Sequence, residues 1–457
     1  MSQQVQSRPY RVRDAAPGGG PEAARRLREE FGGAVLLPGD PGYDEQREAP
    51  NADIDPRPAL IAEADDPADV RAAILTAREH GLPFAVQATG HGTYVASDGG
   101  VLLRTGRMDS VLVDPDRRIA RVGPGTTWAE VIAAAEPFGL APLAGSHQTV
   151  GVTGYTLGGG IGWLARGYGF ASDSVLRAEM VTADGRLVTA SPDRNPDLFW
   201  ALRGGGGNFG VVTSLEFRLH PVARVHAGAL YFTADRAAET LTRYREWMAD
   251  APRELSTSIL LARFPDAPET PAPLRDRWVL GLRVMYAGEA EEARAALRPL
   301  TETAGPVLLD DLRTTTFAQA EMGGIAPRDF NLLETLPDDV IEAVAAVVGR
   351  PDSPVTMVEV RHWGGAMTDA GPDAGPVGHR TAQLSVVLDA CDPQVSRVLR
   401  PHSGDRTFLN FLGDTTRAET AYTPGDHRRL RDVKRTYDPD NFFRLNHNIP
   451  PAEPGSH

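Results

Sequence analysis

The 457 residues carry 47 Lys plus Arg against 61 Asp plus Glu, a formal net charge of −14, with 41% hydrophobic and 24% charged residues. Such a chain is globular in composition and too long for one core, and without a basic stripe its charge argues against nucleic acid or an anionic membrane as partner. The single cysteine, Cys391, excludes an intramolecular disulfide framework and a Cys-based zinc site, and no metal is expected.

Met1–Gly20 is polar and contains arginines, with no apolar stretch of the kind a secretory signal needs, and no run is long enough to span a bilayer. The expected location is the cytoplasm, and the expected state a monomer or homodimer. Residues 1–54 read as irregular, with Pro-Gly-rich stretches at 17–21 and 38–43. A regular pattern starts at Pro58. "ALIAEA" reads as a strand, Asp66-Pro67 as the N-cap and first-turn proline of a helix with Val70, Ile74 and Ala77 on one face, and His80-Gly81 as its end. "FAVQA" is the next strand, so the following "TGHGT" lies at a strand end within a β-α-β unit, where ligand loops are common. In that loop His91 sits between Gly90 and Gly92. Taken alone, this is either a reactive imidazole with close backbone approach or a surface turn with an idle histidine.

Further along, "VLLRT" and "IARVGPG" are strand-like, and Thr127–Glu130 is a capping box opening a helix that ends near Gly139. Residues 177–190 form a hairpin around Asp184-Gly185, Asn195-Pro196-Asp197 starts a short helix, and "VVTSLEFRLHPV" alternates as a strand. From about 224 the pattern changes to long half-buried strands ("HAGALYF", "STSILLARF", "RWVLGLRVMY", "QLSVVL") interleaved with amphipathic helices near 235–250 and 288–303. This predicts an antiparallel sheet with helices on one face.

"GGGGNFG" (204–210) satisfies G-x-G-x-x-G through Gly205, Gly207 and Gly210, but a helix precedes it and a strand follows, the reverse of a nicotinamide Rossmann fingerprint. "LGGGIGW" (157–163) fails in the same way, and neither carries the Gly-Lys-Ser/Thr of a P-loop. Either cluster alone is explained by tight turns. Several backbone-exposing loops in one domain suit instead a long pyrophosphate ligand such as FAD, bound through main-chain N–H groups.

"VQATGHGTYVASDGGVLLRT", "AGSHQTVGVTGYTLGGGIGWLARGYGFASDSV", "VTADGRLVTASPDRNPDLFWALRGGGGNFGVVTSLEFRLHPV" and "LRDVKRTYDPDNFFRLNHNIPP" occur in this order. Together they resemble the vanillyl-alcohol-oxidase (PCMH-type) flavoproteins, specifically the berberine-bridge-enzyme-like (reticuline-oxidase-like) oxidoreductases. The resemblance is strong over 55–223 and 405–451 and weaker between them. It implies an α+β fold: a two-part FAD-binding PCMH-type domain (55–223, rejoined by a berberine-bridge-like segment at 405–457), an N-terminal segment (1–54) packed on it, and an antiparallel-sheet substrate domain (224–404) roofing the isoalloxazine. It also implies that His91 is joined to the flavin and that the backbone of Ala88, Thr89, Gly90, Gly92 and Thr93 cradles the pyrophosphate. Gly145, Ser146, Thr149, Val150, Gly154, Gly159, Gly160 and Val212 would line the rest, with Asn446 and Asn448 near the ring.

Two departures matter. His147 stands where many relatives have a cysteine that makes a second flavin bond, so a bicovalent flavin is excluded; His147 is then a polar wall or a substrate contact. Phe408-Leu409-Asn410 replaces a Tyr-x-Asn motif whose phenol takes the substrate proton, and phenylalanine exchanges none. Phe408 would border the substrate, and Tyr422, close in sequence, is a candidate that does not fill the motif. "VTMVEVRHWGGA" alternates as a strand, placing Glu359 and Arg361 on one face and His362 on the other. In carbohydrate-oxidising relatives the residues at the first two positions face the substrate, so Glu359 is either a general base or one half of an ordinary ion pair with Arg361. His362 is a further substrate-contact candidate.

The expected activity is an FAD-dependent oxidation of a C–H next to an OH or amine in a small molecule, with O2 or another electron acceptor, in the secondary-metabolite chemistry of a bacterium. The lost tyrosine motivates an alternative, a non-redox cyclase or isomerase that keeps FAD as a shaping element. A third reading is a non-catalytic FAD-binding protein.

Overall fold

Three sheets organise the chain, and the computed structural model describes residues 19–369, 371 and 373–453. Most of the segment on which the signal-peptide reading rests, 1–18, lies outside the described residues. The first sheet runs in the order Ala34–Leu36, Leu60–Glu63, Val101–Arg104, Phe84–Gln87. The last three strands are parallel and the first joins antiparallel at the edge. Leu60, Ile61 and Ala62 are fully buried, the unbroken apolar run expected of a parallel strand covered on both faces.

The helix between strands Leu60–Glu63 and Phe84–Gln87, Pro67–Glu79, begins as its sequence dictates. Asp66 caps it by accepting from Ala68 N (2.7 Å) and Asp69 N (3.0 Å), with Pro67 in the first turn. Residues 19–54 are not irregular. They supply helix Gly19–Leu27, the edge strand and helix Tyr43–Arg47, and Ala23, Ala24 and Leu27 pack with Val70, Ala73 and Ile74 in one core. A three-residue strand between Pro-Gly stretches is too short to show a period.

The second sheet, Val111–Asp114, Ile119–Val122, Val211–Arg218, Val175–Val181, Leu187–Ala190, is antiparallel throughout. Its core holds Trp128, Phe209 and Phe217 together with Leu430, Val433 and Tyr437 of the late helix Pro424–Tyr437. Two chain segments far apart in sequence therefore share one core. Asn208 and Lys434 stitch them together. Asn208 Nδ2 donates to His447 O (3.0 Å) and its Oδ1 accepts from Ile449 N (2.9 Å). Lys434, fully buried, donates to Asn208 O (2.7 Å), Asp438 (2.7 Å) and Phe443 O (3.0 Å).

The third sheet has eight antiparallel strands. Seven follow in the order Val307–Asp310, Arg224–Thr233, Arg277–Tyr286, Leu255–Phe264, Met357–His362, Leu384–Leu388, Asp329–Leu333, and Arg313–Thr316 also pairs with Arg224–Thr233. Helices Ala237–Trp247, Ala290–Ala304, Asp338–Ala346 and Pro393–Ser403 cover one face, where Leu280, Leu282, Val358 and Val360 pack against Leu241, Leu297, Val344 and Leu399. The alternate residues, Arg283, Ser258, Glu359 and Arg361, belong to the other face. Among the described residues no helix is long and apolar enough to cross a membrane.

Candidate active site

Strand register builds the roof of the site. Ser258 is opposite both Arg283 and Arg361, so these three form one row across adjacent strands, with Glu359 two residues from Arg361 on the same face. Glu359 is 6% exposed, and both of its hydrogen bonds land on one oxygen: Oε1 accepts from Ser258 Oγ (2.7 Å) and Arg283 Nη1 (2.7 Å). Oε2 accepts from none of the described residues. The ion pair foreseen with Arg361 is made with Arg283 instead, and Arg283 is fixed from behind by the carbonyls of Met322 and Gly323 (2.8 Å to the latter). Arg361 lies over Trp163, its Cζ 4.5 Å from the ring centroid.

Beneath this roof lies a cavity of about 420 Å³. Its floor comes from the other two sheets. Strand Phe84–Gln87 runs out into Ala88–Tyr94; the loop after Leu143 supplies Gly145, Ser146, His147 and Val150; helix Val152–Leu157 presents Gly154 and Tyr155; and the glycine loop supplies Gly206, Gly207 and Gly210. Val212, Asn410, Phe411, Asn446 and His447 complete the wall. Gly90 has φ +82°, and a Cβ there would sit 2.7 Å from Gln87 Nε2, so glycine is needed to turn the chain toward the cavity. Gly92 and Gly154 have open space where a Cβ would be, so bare backbone faces the cavity. The N–H groups of His91 and Gly92 donate to no atom of the described residues, and the buried Thr153 Oγ1 and Asn446 Oδ1 have no partner among them. Unsatisfied donors and acceptors along a glycine-lined strip fit a long polar cofactor of the FAD kind, whose phosphates take main-chain N–H groups. Among the described residues no cluster of His, Cys, Asp or Glu could hold a metal.

His91 Nε2 lies 3.4 Å from Thr149 Oγ1, and burial, with His147 nearby, lowers its pKa and favours the neutral imidazole. Of the residues singled out from the sequence, Ala88, Thr89, Gly90, His91, Gly92, Thr93, Gly145, Ser146, His147, Val150, Gly154, Val212, Glu359, Arg361 and Asn446 line the cavity. Thr149 reaches it only through His91.

Six others are not among its lining residues. Gly159 and Gly160 are glycines for packing: a Cβ would meet Phe408 at 3.0 Å and the Tyr155 ring at 2.4 Å respectively. Phe408, 2% exposed, is packed among Phe170, Trp363 and Phe411, while its motif neighbour Asn410 tethers helix Val152–Leu157 by bonding Tyr155 O and Gly160 N (both 3.0 Å). Tyr422 is a core residue, not a base; its hydroxyl donates to Gly204 O (3.2 Å) and its ring stacks on His427. His362 faces the helices, where Nε2 accepts from Arg166 Nη1 (2.7 Å), and burial holds its pKa near about 3. Asn448 is half-buried, its sealed-off Oδ1 has no partner among the described residues, and it is not on the wall. Arg283 and Ser258 escaped sequence reasoning because only strand register brings them to Glu359 and Arg361, and Trp163, in the turn before helix Ala165–Tyr168, because only tertiary packing brings it under Arg361. Tyr155 and Asn410 were within quoted motifs, and two-fold alternation or capping gave no sign of them.

Comparison with known proteins agrees with this geometry. A family model described as FAD binding domain matches residues 58–191, and one described as berberine and berberine like matches 407–450. The chain is 31% identical over 446 residues to (R)-6-hydroxynicotine oxidase of Paenarthrobacter nicotinovorans, covering 92% of this chain and 97% of that protein. It is 28% identical over 465 residues to an FAD-linked oxidoreductase of Dictyostelium discoideum, covering 95% and 98%. The crystal structure of 6-hydroxy-D-nicotine oxidase from Arthrobacter nicotinovorans superposes with a TM-score of 0.79 at 26% identity over 92% of this chain and 98% of that one. In fold alone it also matches xylooligosaccharide oxidase from Myceliophthora thermophila C1 in complex with xylobiose (TM-score 0.81, 22% identity, 96% and 100% covered). The chain belongs to the berberine-bridge-enzyme-like family of PCMH-type flavoproteins and is an FAD-dependent oxidoreductase.

Proposed function

We propose that this oxidoreductase holds its FAD by a single covalent bond to His91 and oxidises a C–H next to an OH or amine of a small molecule, with Glu359 as the base. The observation that carries the proposal is Glu359 itself, among the described residues the only carboxylate on the cavity wall, with one oxygen anchored by Ser258 and Arg283 and the other bonded to none of them. It meets the need left by Phe408, so nothing in the geometry calls for the non-redox alternative.

When bound, FAD supplies the two-electron acceptor that takes a hydride from the substrate carbon and passes the electrons to O2 or another acceptor. Glu359 Oε2 receives the proton of the OH or NH, so the carbon leaves as a carbonyl or imine. Ser258 and Arg283 fix the carboxylate, Arg361 orients the substrate, and the apolar wall from Leu409 and Phe411 excludes water. His91, neutral and flanked by glycines, brings a nucleophilic ring nitrogen to the cavity edge, and His147 offers no thiol for a second bond.

Two measurements test this. Acid precipitation should leave the yellow chromophore in the pellet, on a peptide containing His91; colour wholly in the supernatant would rule out the bond. Anaerobic addition of secondary alcohols and cyclic amines, each with and without a carboxylate group, should bleach the flavin with at least one compound, and spectra unchanged across all of them would remove the proposed substrate chemistry.

A further inference from the structure

The charges around the cavity do not cancel. Glu359 is neutralised by Arg283, which lies behind it and is not on the wall. That leaves Arg361, among the described residues, as the one permanently charged side chain of the wall without a counter-ion of its own. Arg361 is 7% exposed, its guanidinium makes no hydrogen bond to any described residue, and none of its nitrogens is both sealed off and unpartnered. The N–H groups therefore open onto the cavity. A buried guanidinium that gives no hydrogen bonds bears an unrelieved desolvation cost, visible as a lowered pKa from burial that nearby Glu359 only opposes. The Trp163 ring holds the planar group in place from the side, its Nε1 donating to Ser146 Oγ at 3.2 Å.

Resting on the reading that the cavity takes a flavin and a substrate, we infer that the substrate bears a carboxylate, which the Arg361 guanidinium binds while Glu359 serves the carbon being oxidised. The fork of a guanidinium matches two carboxylate oxygens. Residues two apart on a strand are about 6–7 Å apart, so the anion and the oxidised carbon belong to one small molecule. A neutral sugar or free amine would leave the cation unpaired, which selects against it.

The test uses the purified full-length protein and three acids, benzoate, phenylacetate and 3-phenylpropionate, each paired with its amide. Binding is read by calorimetry and by perturbation of the flavin spectrum. At least one acid should bind roughly 10- to 100-fold tighter than its amide. Arg361→Gln should abolish that preference, and Arg361→Lys should keep part of it. Flavin content and melting temperature report whether each variant is folded. No acid preferred over its amide, or a preference that survives in R361Q, overturns the inference. So does a lowered flavin midpoint potential in R361Q with the acid preference intact, which would assign the guanidinium to the ring. Calorimetry reads the anion preference without flavin. Absence of bound flavin would therefore sink the function proposal while the anion result still stands or falls by itself.

Discussion

Replacing Glu359 by glutamine separates its two jobs. The amide oxygen can take the place of Oε1 and keep the bonds from Ser258 and Arg283, both 2.7 Å in the parent, but the group can no longer receive a proton. If Glu359 is the base, flavin reduction should slow by about 10²–10⁴-fold, equivalent to about 3–5 kcal/mol of barrier. Substrate affinity should change little, because Arg361 is untouched. Glu359→Ala differs: it leaves Arg283, whose side chain is 9% exposed, without its counter-ion, and should cost about 3–5 kcal/mol of stability. The assay is anaerobic stopped-flow bleaching of the flavin with an alcohol or amine that the parent oxidises, beside urea unfolding of both variants. An E359Q variant that reduces its flavin within about threefold of the parent rate would refute the assignment and leave the carboxylate a structural partner of Arg283.

Gly154→Ala adds a methyl to a helix where nothing lies within 4 Å, so the apoprotein should gain about 0.5–1 kcal/mol while flavin occupancy falls; unchanged occupancy would show that the cofactor does not run past Gly154. Lys434→Met leaves buried Asp438 without its cation and should lower stability by about 3–5 kcal/mol in urea unfolding, with loss of flavin content because Asn446 and His447 follow in the same segment. Burial holds His220 at about 4 and His362 at about 3, both below the unfolded value of 6.5, so the unfolded chain binds their protons first. Their contribution is intact above pH ~6.5 and is lost as pH falls toward ~4 to ~3, on the order of 3 kcal/mol for His220 alone. Melting temperatures of the parent should fall over that window, and His220→Asn should flatten the slope.

How much of this was legible follows from the reach of each signal. The alternation in "VTMVEVRHWGGA" is local, and it put Glu359 and Arg361 on one face of the strand and His362 on the other, as they are; that the His362 face meets the helices and not the substrate lay beyond its reach. The partner of Glu359 was not legible, since Arg283 reaches it across the intervening strand Leu255–Phe264, a matter of register. Glycine clusters announced backbone approach, yet a glycine makes room equally for a ligand or for a ring. Gly92 and Gly154 face open cavity, whereas Gly159 and Gly160 accommodate Phe408 and Tyr155. Nearness in sequence misled for Tyr422, because the turn after Ala421 carries it into the core beside Gly204.

The stitching of Asn208 and Lys434 to residues 438–449 has a consequence for how the protein is made. The wall formed by Ala88–Tyr94 and the wall formed by Asn446 and His447 are separated by nearly the whole chain, and the eight-stranded roof is inserted between them. During synthesis the first wall waits, incomplete, while the roof is translated and folds. Contacts of such long sequence separation form late. Flavin capture is therefore an event of the finished chain, and a chain cut before helix Pro424–Tyr437 carries the roof over half a binding site.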